Sequence, residues 1–233
     1  PLFFVAADQL SGARQGSVLV LDGPEGRHGA TVKRIRVGEG VLLADGLGKR
    51  ADTVVESVGV GELHLRVQAV THEPQPDPRF VLIQALTKGD RDEQAIEAAT
   101  ELGVDEVVPW QAMRSVVIWR GERAIRSLRK WESVVRAATK QSRRTRVPLV
   151  SAPVNLAAVI SRIEGAALAV VLDEDSALPL AGLELPPAGE VVLIVGPEGG
   201  ISPDELRAFV GAGAVAVRLG SGCCGPGDAT LDG

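Results

Sequence analysis

Tyrosine is absent from this 233-residue chain, and aromatic residues of every kind make up only 3% of it. So few π faces leave little material for a nucleic-acid surface built on base stacking. Trp110, Trp119 and Trp131 are expected to fill the core or an interface instead. Cysteine occurs twice, at the adjacent Cys223 and Cys224. That argues against a disulfide framework and fits a reducing, cytoplasmic setting. His28, His64 and His72 stand at no metal-ligand spacing with one another or with the cysteines, so no metal is expected. No apolar run approaches the roughly 20 residues of a membrane span. No secretory signal pattern opens the chain, and no membrane partner is expected.

What is present is an uneven charge distribution. The formal net charge is −5, yet residues 120–146 carry ten Lys/Arg against only Glu122 and Glu132, while the remainder holds 15 basic against 28 acidic residues. A concentrated basic segment on an acidic body suits a polyanionic partner, because phosphate contacts respond to local charge. A solvated basic helix would look the same. Ile125, Leu128, Val134, Val135 and Ala138 recur at helical spacing, which predicts one buried face with the arginines on the other.

The pattern changes near residue 75. Before it, Ser17–Leu21, Val41–Leu43, Thr53–Val58 and Leu63–Val70 alternate with glycine turns, the rhythm of a small antiparallel sheet or barrel. Three prolines between Thr71 and Pro78 mark a linker. We therefore expect a barrel over 1–73, a linker over 74–79 and a second domain over 80–233. In that domain strands and helices alternate, which implies an α/β fold with a mainly parallel sheet. Expected strands are Phe80–Leu86, Val107–Val108, Ala166–Leu172, Val191–Val195 and Ala214–Leu219. Expected helices are Asp92–Leu102, the basic segment and Pro203–Ala212.

The most informative stretch joins the apolar run Val191–Val195 to Gly196-Pro197-Glu198-Gly199-Gly200-Ile201-Ser202-Pro203-Asp204-Glu205. Ser202 can cap a helix, Pro203 suits its first turn, and Glu205 completes a capping box. A strand that feeds a glycine loop and a helix start is a common cofactor site in α/β proteins. An ordinary strand-to-helix turn remains the alternative.

Four stretches together carry a family resemblance. One is His28-Gly29-Ala30-Thr31-Val32-Lys33-Arg34-Ile35-Arg36 through Gly40, with Asp45-Gly46-Leu47-Gly48. Another is Gln84-Ala85-Leu86-Thr87-Lys88-Gly89-Asp90, leading to Ala99-Thr100-Glu101-Leu102-Gly103-Val104. A third runs from Arg114-Ser115-Val116-Val117 through Lys130-Trp131 to Ala138-Thr139-Lys140-Gln141-Ser142-Arg143-Arg144 and Val147-Pro148. The glycine loop is the fourth. In this order the chain resembles the RsmE family of ribosomal RNA methyltransferases, in the SPOUT class.

The resemblance implies a SPOUT trefoil-knotted parallel sheet with helices on both faces, preceded by a small PUA-like β-barrel that binds RNA. It implies a homodimer that methylates N3 of one uridine in 16S ribosomal RNA, with S-adenosyl-L-methionine as cofactor and the small (30S) subunit as partner. The implied cofactor pocket takes Leu172, Gly196, Pro197, Glu198, Gly199, Gly200, Ile201, Leu219 and Gly220. Candidate RNA contacts are His28, Arg34, Lys88, Arg136, Lys140, Arg143 and Arg144. Methylation at N3 requires a deprotonated uracil. An arginine beside the base would favour the anion, which makes Arg144 a catalytic candidate, with phosphate contact as its other role. Glu198 is the candidate base, or else a partner for backbone amides.

Beyond Gly220 the family continues with an arginine-led apolar stretch and a final helix that closes the pocket. Here the chain reads Ser221-Gly222-Cys223-Cys224-Gly225-Pro226 and continues to Gly233, an atypical or truncated ending that is a poor helix. Codons TCC-GGG-TGC-TGC-GGA-CC, read one base earlier, encode Leu-Arg-Val-Leu-Arg-Thr, so a reading-frame slip is one explanation. Two alternative functions stand beside the main expectation. One is another SPOUT RNA methyltransferase; the other is a non-catalytic RNA-binding protein of the same fold.

Overall fold

The computed structural model describes residues 1–219. The expectations for Gly220 and for 221–233 lie outside the described residues. The chain forms two compact units: one takes residues 1–76, 97–105 and 130–149, and the other takes 77–96, 106–129 and 150 onward.

In the first unit, strands β1 (Leu2–Phe4), β2 (Val18–Leu21), β3 (Gly40–Ala44), β4 (Lys49–Val58) and β5 (Leu63–His72) form one sheet in the order β1-β3-β4-β5-β2. The period-2 alternation buries Ala51, Thr53 and Val55 of β4 against Leu63, Leu65 and Val67 of β5. Register shifts at Asp52/Thr53 and Val55/Ser57 put irregularities into the β4–β5 ladder, which bend a strand and raise its twist. The short helices α1 (Ala7–Ser11) and α2 (Gly23–Arg27) lie between strands, and α2 runs into a π-helical turn at His28–Val32. Only glycine fits at position 26, where a Cβ would stand 2.3 Å from the Leu21 carbonyl oxygen.

One expectation changes here. The sheet is mixed rather than antiparallel, because β1 pairs in parallel with β3. Leu2, Phe3 and Phe4 are all buried, so this strand offers no alternation to read. β5 runs to His72, where Thr71 and His72 still pair with Arg50 and Lys49 of β4, and β6 begins at Arg79.

In the second unit β6 (Arg79–Ala85), β7 (Glu106–Trp110), β8 (Leu149–Val150), β9 (Leu168–Leu172), β10 (Glu190–Val195) and β11 (Val215–Val217) form a sheet in the order β11-β9-β10-β6-β7-β8. The pairs β11–β9, β9–β10, β10–β6 and β6–β7 are all parallel. Runs such as Val81–Ala85 and Val107–Trp110 are buried without alternation, as strands covered on both faces should be. Helices α5 (Leu156–Gly165) and α6 (Pro203–Gly211) pack on this core, and the Trp110 and Phe209 rings meet edge to face at 5.2 Å. The sequence reading passed over α5, although Asn155 caps it by accepting from the Ala158 amide and Val159 and Ile163 are buried one turn apart.

The remaining helices, α3 (Arg91–Leu102) and α4 (Gly121–Gln141), divide their residues between the units. The buried face of α4 is Trp131, Val135, Ala138 and Thr139. The expected face is therefore corrected: Ile125 is 55% exposed, because burial tracks the 131/135/138 register. Among the described residues no helix is long and apolar enough to cross a membrane.

The amino ends of β6, β7 and β10 carry charged first residues that share one cluster. Arg162 of α5 clamps Glu106 through Nη1 (2.8 Å) and Nη2 (2.6 Å), and Glu190 through Nε (2.7 Å) and Nη2 (2.9 Å). Arg79 donates to Glu106 at 2.6 Å, and the Ser151 hydroxyl donates to the same carboxylate. Burial alone pushes the Glu106 carboxyl up. The Arg162 and Ser151 hydrogen bonds, with the charges of Arg162 and Arg79, outweigh it and leave the group below its ordinary range.

Removal of the Glu106 charge takes from Arg79 and Arg162 the closer and more buried of the two carboxylates they share, and leaves only Glu190. Glu106→Gln is expected to cost about 3 kcal/mol in denaturant unfolding. Because folding lowers this pKa, the contribution is full above about pH 4.3 and fades as pH falls through the lowered value. A wild type and variant of equal stability at pH 7 would contradict this assignment.

Candidate functional site

Whereas the amino edge of the second sheet is closed by charge, its carboxyl edge opens into a cleft. The loop after β10 begins at Gly196, where a Cβ would lie 2.7 Å from Ile201 Cγ1. It turns at Gly200, whose φ of +70° favours glycine and whose amide donates to the Pro197 carbonyl at 2.8 Å. Ser202 then caps α6. Its hydroxyl accepts from the Glu205 amide (3.3 Å) and donates to Glu205 Oε2 (2.7 Å), and the Ser202 amide donates to the same oxygen (3.1 Å). The capping box expected from sequence is formed.

Glu205 does more than cap. It is 2% exposed, and its other oxygen accepts from the Met113 amide at 2.7 Å. That bond holds the segment after β7 beside the glycine loop, where Arg114 Nη1 donates to the Gly199 carbonyl at 2.9 Å. A second tie comes from the segment after β6, whose Lys88 amide donates to Glu198 Oε1 at 2.9 Å. Three strand ends are thus joined around one loop.

The resulting cleft has a volume of about 460 Å³. Its walls are Leu172–Asp175 after β9, Val195–Ile201 after β10, Arg218 and Leu219 after β11, and Arg114. Leu172, Gly196, Pro197, Glu198, Gly199, Gly200, Ile201 and Leu219, the described residues of the expected cofactor pocket, all line it. Sequence reasoning missed Asp173, Glu174 and Asp175, which give one wall an acidic character. Their signal was a run of carboxylates directly after an apolar strand. Arg218 directs part of its guanidinium to the chain, since Nη1 donates to the Ser176 and Ala177 carbonyls.

Glu198 is exposed, yet its carboxyl sits below the ordinary range. Hydrogen bonds from its own amide and from the Lys88 amide are the leading causes, and the Arg91 and Lys88 charges add to them. A carboxylate stabilised in this way is a weak base. The geometry fits the amide-partner role rather than proton removal.

The basic candidates of the first unit are used in different ways. Arg144 Nη1 donates to the Thr100 and Val104 carbonyls at 2.7 and 2.8 Å, Nη2 donates to Gly103 at 3.3 Å, and Asp105 lies 3.7 Å away. Its guanidinium satisfies the Thr100 carbonyl in the last turn of α3 and two carbonyls just past its end, where a cation also complements the helix dipole. The structure thus engages Arg144, the catalytic candidate, as an anchor for these carbonyls. Lys140 pairs with Glu25 at 2.6 Å, and Arg136 lies 4.5 Å over the Phe4 ring. His28 is half-buried and edge-on to Phe3. Arg34 and Arg143 are exposed, both with left-handed backbone (φ 51° and 57°), and neither side chain has an ion-pair partner among the described residues.

A glycine-loop cleft at the carboxyl edge of a parallel α/β sheet defines a ligand-binding α/β architecture. Residues 73–222 match the family profile for the RNA methyltransferase domain. The chain is 46% identical over 209 residues to ribosomal RNA small subunit methyltransferase E of Mycobacterium bovis, covering 88% of this chain and 80% of that protein. Among solved structures, ribosomal RNA small subunit methyltransferase E from Neisseria gonorrhoeae, bound to S-adenosyl methionine, superposes with a TM-score of 0.79 at 27% identity, covering 96% of this chain and 90% of that one. A methyltransferase from Legionella pneumophila, in complex with its cofactor SAM, gives a TM-score of 0.77 at 27% identity, covering 94% and 88%. The chain belongs to the ribosomal RNA small subunit methyltransferase E family.

Glu205→Ala removes the carboxylate that receives three hydrogen bonds. The expected cost is about 2 kcal/mol of stability, with faster amide hydrogen exchange at Met113 and Ser202. Unchanged exchange at Met113 would show that Glu205 does not hold that segment.

Proposed function

We propose that this protein transfers the methyl group of S-adenosyl-L-methionine to N3 of a uridine in 16S ribosomal RNA, acting in the cytoplasm on the small subunit. The observation that carries the reading is the convergence of Leu172, Gly196–Ile201 and Leu219 on one cleft at the carboxyl edge of the sheet. The lining suits the donor. Asp173, Glu174 and Asp175 complement a cationic sulfonium and can accept from ribose hydroxyls, and the glycine loop brings backbone groups close to a ligand.

The reading includes a trefoil knot in the second unit and a PUA-like barrel in the first. In support, β10 lies between β6 and β9 in an all-parallel arrangement, and irregular β4–β5 pairing accompanies the mixed five-stranded sheet. It also includes a homodimer. Met113, Val116, Ile118 and Ile125 are exposed apolar side chains on one stretch of the second unit, which a second copy would cover.

When bound, S-adenosyl-L-methionine supplies an activated methyl group, so the protein's task is alignment and management of the N3 proton. Arg114, fixed against the Gly199 carbonyl, places positive charge on the cleft wall, which favours the uracil anion over the neutral base. Glu198 ties the loop to the Lys88 amide and keeps the cleft's shape. Because Gln retains an acceptor oxygen, Glu198→Gln is expected to keep methyl transfer within about threefold, whereas Glu198→Ala lowers it by about tenfold, the worth of one charge-assisted bond. Equal large losses in both variants would restore Glu198 as the base.

Calorimetry with S-adenosyl-L-methionine is expected to show saturable uptake. Small subunits from cells that lack their own enzyme are expected to gain one methylated uridine. A product on any other base would overturn the reading.

A further inference from the structure

Beside the donor cleft, within the same unit, lies a second recess of about 360 Å³. Lys88, Arg91, Arg114 and Val116 line it, together with Glu198 and Gly199. Arg114, Glu198 and Gly199 line the donor cleft as well, so the two spaces share a wall.

Three cations face this recess against one carboxylate, and that carboxylate already accepts the Lys88 amide. Arg114 spends Nη1 on the Gly199 carbonyl. Neither Lys88 Nζ nor the Arg91 guanidinium has a hydrogen-bond or ion-pair partner among the described residues, although both charges act on Glu198. Two amides at the start of α3 are already used: Asp92 donates to the Thr87 hydroxyl at 3.0 Å, and Glu93 to the Asp92 carboxylate at 2.9 Å. Attraction for an anion therefore comes from side chains rather than from the helix end. Three cations against one carboxylate leave an excess of positive charge that repels itself, and a phosphate oxygen set relieves that repulsion.

We propose that this recess is the phosphate subsite for the target nucleotide, in which Lys88, Arg91 and Arg114 hold the phosphate of the uridine to be methylated. The sugar and base then pass Gly199 into the donor cleft. Phosphate contacts of this kind fix register and orientation without reading the base. Their contribution to rate is to hold the acceptor nitrogen beside the methyl donor. Arg91 and Arg114 thereby join Lys88 as positioning residues. The assignment rests on the methyl-transfer reading for the nature of its ligand, while the recess and its charges stand apart from that reading.

The test is calorimetric titration of the protein, saturated with S-adenosylhomocysteine, with uridine, uridine 5′-monophosphate and uridine 3′-monophosphate. At least one monophosphate is expected to bind about tenfold tighter than uridine, as one charge-assisted contact set would give. Which monophosphate gains identifies the side of the nucleotide that is held. Lys88→Ala and Arg91→Ala should each remove most of that advantage, while affinity for S-adenosyl-L-methionine stays within about twofold of wild type. On small subunits each variant should raise KM more than it lowers kcat, and should reduce the slope of log affinity against log salt by about one. Equal binding of uridine and both monophosphates, or variants that retain the advantage, would overturn the proposal. So would variants that lose donor affinity in parallel. Failure of the methyl-transfer reading shows up separately, as wild-type protein that takes up no S-adenosyl-L-methionine.

Discussion

The buried carboxylate of Glu205 is the constraint on which the site depends. One oxygen closes the capping box with Ser202 and so fixes where α6 begins; the other receives the Met113 amide. A buried carboxylate is costly unless its oxygens are satisfied, and here the donors come from two segments that meet only in the folded chain. Once Met113 is held, Arg114 is in place to bond Gly199, and the glycine loop is fastened from outside as well as by its own turn. Rigidity of this kind matters for methyl transfer, where alignment is the protein's main contribution.

The two edges of the parallel sheet divide the work. At the amino edge the first residues of β6, β7 and β10 are charged: Arg162 of α5 clamps Glu106 and Glu190, and Arg79 joins the cluster through Glu106, which ties three strands and α5 together. At the carboxyl edge the same strands end in loops that stay open to a ligand. Paired charge closes one side; the glycine-loop backbone and the charged side chains Arg114 and Asp173–Asp175 shape the other. This separation leaves the stabilising ion pairs out of the ligand's way, in keeping with the general placement of ligands in open α/β sheets.

Local features were the readable ones. The Ser202–Glu205 box, the glycine loop and most strands of both sheets announce themselves within a window of a few residues, and the structure forms them close to where the pattern places them. What escaped depends on separation along the chain. The second bond of Glu205 spans 92 residues and that of Glu198 spans 110, so nothing near either residue signals its partner. Arg144 shows the opposite case. It sits in a basic segment that suggests an RNA contact, yet carbonyls some 40 residues earlier draw its guanidinium inward. β1 was unreadable for a different reason: three consecutive buried residues carry no period, and its parallel partner follows much later. Lys88, by contrast, was identified from a motif, and the recess it lines adds Arg114, which a motif contained without a role, and Arg91, which no motif had marked.

The central claim is that the carboxyl-edge cleft holds the methyl donor. Amide hydrogen exchange measured with and without S-adenosyl-L-methionine tests it segment by segment. Protection should concentrate at residues 172–175, 195–201 and 113–114, with the first unit unchanged apart from any global stabilisation. Donor binding that protects other segments and leaves the 195–201 loop exchanging as before would contradict the account.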